Sequence, residues 1–132
     1  MSTNHSIIQG LYDAFAKGDV PAVLGALSPD VVWNEAEHFP YDDNPYRGPD
    51  GVLNGVFANL VADWDGWSVH LEHLLDAGDS VIALGRYRAR NKATGADLDA
   101  QMVHVWWLEG GKVVRFQQYT DTYQCRKAAG LS

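Results

Sequence analysis

The chain has 132 residues, of which 46% are hydrophobic and 20% charged, and this composition is typical of a single globular domain. Its formal net charge of −7 disfavours binding to nucleic acid or anionic lipid, because such binding depends on clustered Lys and Arg. The single cysteine, Cys125, cannot form an internal disulfide. No stretch reaches the ~18 apolar residues of a membrane span and the first residues lack a secretory pattern, so we expect one cytoplasmic domain over residues 1–132.

Three helices are predicted in the first half of the chain. Apolar residues recur at helical spacing over residues 6–17, 20–27 and from Gly48-Pro49 to about Ala62. Gly18 suits the end of the first helix, and Asp19 can cap the second. A short strand, Val31 to Trp33, precedes residues 34–46, which carry acids and prolines without periodicity. This segment is predicted to be a functional or flexible loop.

The second half of the chain alternates polar and apolar residues, as β-strands do. Four strands are predicted, over residues 67–75, 80–90, 97–109 and 112 to about 123. Gly110-Gly111 supplies a two-residue turn between the last two strands. Because helices precede a run of antiparallel strands, we expect an α+β fold with the helices on one face of the sheet.

The turn at Gly110-Gly111 also predicts the register of the last hairpin, with Glu109 opposite Lys112. In this register one face carries Trp106 with Arg115, His104 with Gln117, Met102 with Tyr119, and Ala100 with Asp121. That face mixes aromatic and polar groups, as ligand pockets do, and we expect it to line a pocket. The other face is mostly apolar, which favours a homodimer interface. Its members are Val103, Val105, Trp107, Val114 and Phe116.

Four short segments stand out along the chain: YDAFAKGD at 12–19, SPDVVW at 28–33, YRG at 46–48, and GKV at 111–113 running to YTD at 119–121. Their order and spacing resemble the SnoaL-like branch of the nuclear-transport-factor-2-like superfamily. The resemblance implies a cone of helices against a strongly bent sheet, usually dimeric, around a pocket for a small, largely apolar molecule. That superfamily includes ketosteroid isomerase, limonene epoxide hydrolase and polyketide cyclases, as well as binding modules without catalysis, so the fold leaves the function open.

The resemblance also implies site residues. By the positions of ketosteroid isomerase, Glu35 is the general base, and Tyr12 and His104 form the oxyanion site. In the cyclases and the epoxide hydrolase an acid near the end of the last strand exchanges the proton, and the matching position is Asp121. The Asp-Arg-Asp arrangement of the epoxide hydrolase is absent, since the corresponding strand reads Arg86-Tyr87-Arg88.

Each candidate has a structural alternative. A carboxylate among aromatic side chains loses hydration, and its pKa then rises toward the range useful for proton transfer. On that argument Asp121 is a general acid or base; the alternative is a strand-end carboxylate that accepts local hydrogen bonds. His104 can orient Asp121 or donate to an oxyanion, or it can be a core histidine. Glu35 can belong to a solvated acidic loop, and Tyr12 can be ordinary helix packing.

Seven further residues are predicted to bind the substrate, with core packing as the alternative for the aromatic ones: Trp33, Phe15, Phe57, Met102, Trp106, Gln117 and Tyr119. The acidic cluster at residues 35–43 lacks the spacing of a zinc motif, and no phosphate loop or dinucleotide motif occurs. We therefore assign no metal and expect no cofactor.

Two functions are compatible with these residues. The first is a cofactor-independent acid/base enzyme, of the isomerase, cyclase or hydrolase type, acting on a small hydrophobic carbonyl compound or epoxide. The second is a non-catalytic module of the same fold that binds a small ligand or another protein. Both require a polar group in an apolar cavity, so the sequence leaves the choice open.

Overall fold

A computed structural model describes residues 3–132. Its helices are α1 (Thr3–Ala16), α2 (Val20–Gly25), α3 (Gly48–Val52), α4 (Ala58–Asp63) and α5 (Thr122–Ala128), and a π-helical turn, Leu53–Phe57, joins α3 to α4. The strands are β1 (Leu27–Asn34), β2 (Tyr46–Arg47), β3 (Trp64–Asp76), β4 (Ser80–Asn91), β5 (Asp97–Glu109) and β6 (Lys112–Thr120). The predicted bounds of β4 and β5 agree with these within one residue.

All six strands form one open, curved sheet in the order β2-β1-β6-β5-β4-β3. The strands from β3 to β6 pair as an antiparallel meander, and β1 adds in parallel to β6. The pairing of β3 with β4 shifts register twice, once beside Gly85, where a side chain would overlap the His70 carbonyl. Such bulges bend and twist a sheet. The prediction of an α+β fold with a curved sheet is confirmed.

The core lies between one sheet face and the helices. Strand β5 shows the pattern clearly, because alternate residues from Leu98 to Leu108 are buried while their neighbours are half-buried or exposed. Helix α1 contributes Ile8 and Leu11 from its buried stripe. Each fully buried aliphatic side chain contributes about 1.5–3 kcal/mol to folding. Along residues 3–132, none of the helices is long and apolar enough to span a membrane.

The last hairpin departs from its predicted register by one residue. Glu109 pairs with Lys112 and Leu108 with Val113, as predicted, but a shift then places Trp106 opposite Phe116 and His104 opposite Gln118. A bulge of this kind moves every later side chain to the other face of its strand. The predicted inner positions of Gln117 and Tyr119 are therefore wrong, and Tyr119 is 56% exposed.

The chain beyond Thr120 forms helix α5, where a strand was predicted to continue to about Tyr123. Asp121 is the N-cap of this helix, and its carboxylate accepts hydrogen bonds from the Gln124 backbone N–H at 3.1 Å and from the Gln124 side chain at 2.8 Å. Asp is among the best N-cap residues because its carboxylate satisfies a backbone N–H that has no partner within the helix. The structural alternative for Asp121 is therefore the one observed.

The outer sheet face carries most of the residues predicted to form a homodimer. Val103, Val105, Trp107 and Val114 are half-buried there, and the Arg115 guanidinium lies 4.7 Å from the centre of the Trp107 ring. Phe116 does not belong to this face, since the bulge places it in the core with 1% exposure. The homodimer itself stays a prediction.

Candidate functional site

A cavity of about 40 Å³ lies between the inner sheet face and the helices. At roughly 10–15 Å³ for each water molecule, it has room for about three waters. Its walls are mainly aromatic, with rings from Phe15, Trp33, Phe57, Trp67, Trp106 and Phe116. Its polar groups come from five residues, on α1, β4, β5, β6 and the segment after β1: Tyr12, Tyr87, His104, Gln118 and Glu35.

His104 lies between two tyrosines. Its Nδ1 atom is 2.6 Å from the Tyr12 hydroxyl, and its Nε2 atom is in short hydrogen-bond contact with the Tyr87 hydroxyl. The alternation of β5 turns His104 inward, while Tyr12 comes from the buried stripe of α1 and Tyr87 from β4. All three side chains are at least 92% buried, so the network is shielded from bulk water.

Two further side chains fix the ends of this network. The Trp106 indole N–H donates to the Tyr12 hydroxyl at 3.0 Å. The Gln118 amide N–H donates to the Tyr87 hydroxyl at 2.8 Å, while its oxygen accepts from the Ala36 backbone N–H at 3.0 Å. Because a backbone N–H can only donate, the orientation of the Gln118 amide is determined. Gln118 thus links the hydrogen-bond network to the segment that follows β1.

One phenolic proton of this network has no acceptor among residues 3–132. Burial lowers the pKa of His104 to about 3, so the imidazole is neutral and carries one N–H and one bare nitrogen. One tyrosine must then donate to the ring, and the other must accept from it. Trp106 and Gln118 only donate to the two hydroxyls, so the tyrosine that accepts from His104 keeps its own O–H free. This holds for either tautomer, and both hydroxyls belong to residues that line the cavity.

Glu35 is the carboxylic acid of the cavity and is 3% exposed. It follows directly after β1, and the Asn44 side chain holds its backbone through bonds to the N–H at 2.8 Å and the carbonyl at 2.9 Å. Burial raises the pKa of Glu35 to about 8. The side-chain interaction with Trp33 is the one hydrogen-bonding contribution to this pKa, and it offsets only part of the lost hydration of the charged form.

Trp33 supplies an unsatisfied donor beside this acid. Its Nε1 atom is buried and has no hydrogen-bond partner among the described residues. The indole is near enough to the Glu35 carboxyl to lower the pKa of that group, but by less than burial raises it. The Trp33 ring stacks on Phe116 at 3.8 Å and meets Trp106 edge-on at 5.6 Å, which fixes its position. An unsatisfied buried N–H is unfavourable unless a ligand or water accepts from it.

The cavity is mostly uncharged at neutral pH. Burial raises the pKa of both Tyr12 and Tyr87 well above the usual value, so both phenols keep their protons. Glu35 is mostly protonated, and His104 is neutral. The cavity therefore offers donors, namely one phenolic O–H and the Trp33 N–H, to a ligand that presents a hydrogen-bond acceptor.

The structure brings together three of the four predicted catalytic residues, since Tyr12, His104 and Glu35 all line the cavity. Asp121 lies elsewhere, in a surface pocket with Tyr119, and the hydrogen bonds from Gln124 lower its pKa. The prediction that Asp121 and His104 share one pocket is wrong, because it depended on a register without the bulge.

The predicted substrate-binding residues divide in the same way. Four of them line the cavity: Trp33, Phe15, Phe57 and Trp106. Met102 is 2% exposed on the inner face without lining the cavity, and Gln117 lies on the outer side of the bulge. Sequence reasoning missed Tyr87 and Gln118. Because buried and less buried residues alternate in β4, Tyr87 falls on the same face as the buried Val81 and Ala83, so its inward position could have been predicted. The inward position of Gln118 could not, because it results from the bulge in the last hairpin.

No group of three His, Cys, Asp or Glu side chains in residues 3–132 is arranged to hold a metal ion. The acidic residues of the 34–46 loop make other contacts instead. Asp42 accepts a hydrogen bond from the His38 backbone N–H at 2.9 Å, and the Asp43 backbone N–H donates to the Tyr46 hydroxyl at 3.2 Å.

Comparison with known proteins identifies the family. Residues 8–116 match the profile of the SnoaL-like domain. An NTF2-like protein from Burkholderia thailandensis E264 is 36% identical with a TM-score of 0.92, and the alignment covers 97% of this chain and 98% of that one. An NTF2-like protein from Burkholderia pseudomallei K96243 is 26% identical with a TM-score of 0.90, over 98% of both chains.

A proposed SnoaL-like polyketide cyclase from Jannaschia sp. CCS1 shares the fold, with a TM-score of 0.84 and 16% identity over 98% of this chain and 93% of that one. A search of curated proteins gives no match. The profile match covers most of the chain, and the B. thailandensis protein is similar along nearly its whole length. The chain therefore belongs to the SnoaL-like domain family and has the NTF2-like fold.

Proposed function

We propose that the protein is a cofactor-independent acid/base enzyme that moves a proton to or from the carbon next to a carbonyl group. Glu35 exchanges the proton, and the Tyr12–His104–Tyr87 network binds the carbonyl oxygen. The observation that carries this proposal is the Glu35 carboxyl, which is 3% exposed and lines an aromatic cavity where burial outweighs its interaction with the Trp33 indole. The proposal replaces Asp121 with Glu35 as the acid/base group.

The pKa of Glu35 suits this role. A general acid or base works best when its pKa lies near the operating pH, and a value of about 8 leaves roughly one carboxyl in ten ionised at pH 7. The ionised form is a strong base because burial leaves it poorly solvated. It can accept a proton from carbon and return it to another atom of the same substrate, so the enzyme ends the cycle unchanged.

The donors of the cavity suit the intermediate. Removal of the proton from carbon leaves an enolate, whose negative charge resides mainly on oxygen. The free phenolic O–H and the Trp33 N–H are two donors already in place, and donors that need no reorganisation stabilise such an oxyanion strongly in a water-poor site. Ketone, enol and enolate oxygens can all accept hydrogen bonds from these two donors. The cavity therefore favours carbonyl compounds over molecules that offer only hydrogen-bond donors. The proposed cyclase from Jannaschia agrees with this class of substrate.

Hydrogen–deuterium exchange provides the test. The protein is incubated in D₂O with 2-butanone and with cyclopentanone, and proton NMR follows deuterium incorporation next to the carbonyl. We expect the wild-type protein to accelerate exchange and Glu35→Gln to lose about 10²-fold or more of this acceleration, as for other general bases. Glu37→Gln, two residues further along and exposed, is the matched control and should behave as wild type. Equal rates for wild type and Glu35→Gln would contradict the proposal.

A non-catalytic binding module is the second candidate, and the small volume of the cavity favours it. Six aromatic residues line a space with room for only about three waters, which suits retention of a small ligand. On this alternative the two ketones bind without accelerated exchange, and Glu35→Gln binds them as well as wild type does. The exchange experiment therefore separates the two candidates.

A further inference from the structure

A second, larger pocket of about 380 Å³ lies beside the cavity. We call it the outer pocket. It is bounded by the end of α1, the start of α2, helix α4 and the first residues of β3. Its walls are largely apolar, with Val20 and Trp64 among them, and Val61 is 70% exposed on its rim.

The outer pocket and the cavity share one wall. Four side chains line both spaces: Phe15, Phe57, Leu60 and Trp67. The rings of Phe15 and Phe57 meet edge-on at 5.8 Å within this wall. Because these are side chains and not backbone, rotamer changes of one or two rings would join the two spaces. Rotamer changes at binding surfaces are common, even where the backbone stays fixed.

The position of Phe57 connects this wall to the backbone. Phe57 is the last residue of the π-helical turn, which interrupts an otherwise continuous helix from Gly48 to Asp63. Turns of this kind carry an extra residue and occur frequently at functional sites. Here the turn places Phe57 against both Phe15 and Trp33, whose ring centre is 5.7 Å away.

The sizes of the two spaces also argue that they act together. The cavity holds Glu35 and the hydrogen-bonding groups but has room for only a few non-hydrogen atoms. The outer pocket has apolar walls and is about the size of an ordinary small-molecule site. Its charged members, Asp65 and Lys92, are exposed, and the Lys92 ammonium donates to the Val61 carbonyl at 2.9 Å.

We propose that the outer pocket binds the apolar chain of a substrate whose carbonyl end occupies the cavity, so that the substrate is an elongated, largely apolar carbonyl compound. This inference rests on the proposed function, because Glu35 and the phenolic donor determine which end of the molecule enters the cavity. Val61 contacts only the chain of such a substrate, whereas Phe57 separates the two spaces until the substrate binds.

Methyl ketones of increasing length test the inference. Binding of 2-butanone, 2-hexanone and 2-nonanone is measured by titration, with the Trp33 indole N–H signal in nitrogen–proton NMR as the readout. We expect affinity to rise by up to about fourfold for each added methylene, the factor that corresponds to ~0.8 kcal/mol. Val61→Asp should weaken binding of 2-nonanone about tenfold or more, because it places a charge beside the chain, and should change binding of 2-butanone less than about twofold.

Leu75→Asp is the matched control, since Leu75 is 48% exposed at the end of β3 and lines neither space. It should leave the whole series unchanged. If 2-butanone binds and exchanges deuterium through Glu35, yet affinity does not rise with length or Val61→Asp has no effect on 2-nonanone, the outer pocket is not the chain site. If no ketone of any length binds, the proposed function fails and this inference fails with it.

Discussion

Replacement of Glu35 by Gln should remove the contribution of this carboxyl to the pH dependence of stability between pH 5 and 8. In the folded protein the pKa of Glu35 is raised from 4.5 to about 8, so the folded state keeps a proton that the unfolded state releases. Because the unfolded state then binds fewer protons, stability falls as pH rises through this window. With ~1.36 kcal/mol for each tenfold change in proton concentration, the loss between pH 5 and 8 is about 3–4 kcal/mol.

Urea unfolding at pH 5, 6, 7 and 8 measures this effect. Other groups titrate in the same range, so the informative quantity is the free energy of unfolding of wild type minus that of Glu35→Gln at each pH. This difference should change by about 3–4 kcal/mol across the series, a large part of the ~5–15 kcal/mol that stabilises a typical domain. Glu37→Gln, which alters an exposed carboxylate, should give a nearly constant difference. Parallel curves for wild type and Glu35→Gln would refute a buried, protonated Glu35.

Three further predictions concern helix packing, the cap of α5 and the protonation of His104. Gly55→Ala should destabilise the protein by about 1–3 kcal/mol in urea unfolding, because the new methyl group overlaps the Tyr46 ring. Gly10→Ala in α1, where the new methyl group meets open space, should stabilise the protein by about 0.5–1 kcal/mol. The reverse order of stabilities would contradict the packing of Tyr46. Asp121→Ala should lower the free energy of unfolding by about 0.5–2 kcal/mol through the lost N-cap, while deuterium exchange of the ketones stays at the wild-type rate. A large loss of exchange would instead identify Asp121 as the acid/base group. The pKa of His104 is lowered to about 3, so its ring nitrogens should show the neutral form in NMR spectra at pH 5, and protonation there would show that the ring is not desolvated.

The architecture was readable from the sequence because it depends on patterns that local chemistry makes explicit. The helical spacing in α1 placed Tyr12 on the buried side, and strict alternation gave the bounds of β4 and β5 within one residue. The turn at Gly110-Gly111 correctly paired Glu109 with Lys112. These features are set by residues close together in the chain.

The candidate site was less readable because it depends on two non-local features. The first is the bulge after Val113, which exchanges the faces of Phe116 and Gln117 and brings Gln118 to His104. A single extra residue in a strand leaves the composition and alternation of its neighbours almost unchanged, so the sequence carries little signal of it.

The second feature is the backbone of residues 35–46. Glu35 has the composition of its neighbours in an acidic loop, and contacts from the rest of the fold hold this segment against the cavity. Among them are the hydrogen bond from the Ala36 backbone N–H to the Gln118 amide oxygen and the packing of the Phe39 ring against Trp67. Both contacts join residues that are distant in sequence. Helix α5 differs, because its cap by Asp121 is a local contact to Gln124 that competes with continuation of β6.

The most direct test of the account is a carbon-13 NMR titration of the Glu35 side-chain carboxyl, assigned by comparison with Glu35→Gln. We predict that this carboxyl is mostly protonated at pH 7 and titrates with a pKa of about 8. A titration near pH 4.5, with a fully ionised carboxylate at neutral pH, would contradict the claim that Glu35 is the acid/base group of a desolvated cavity.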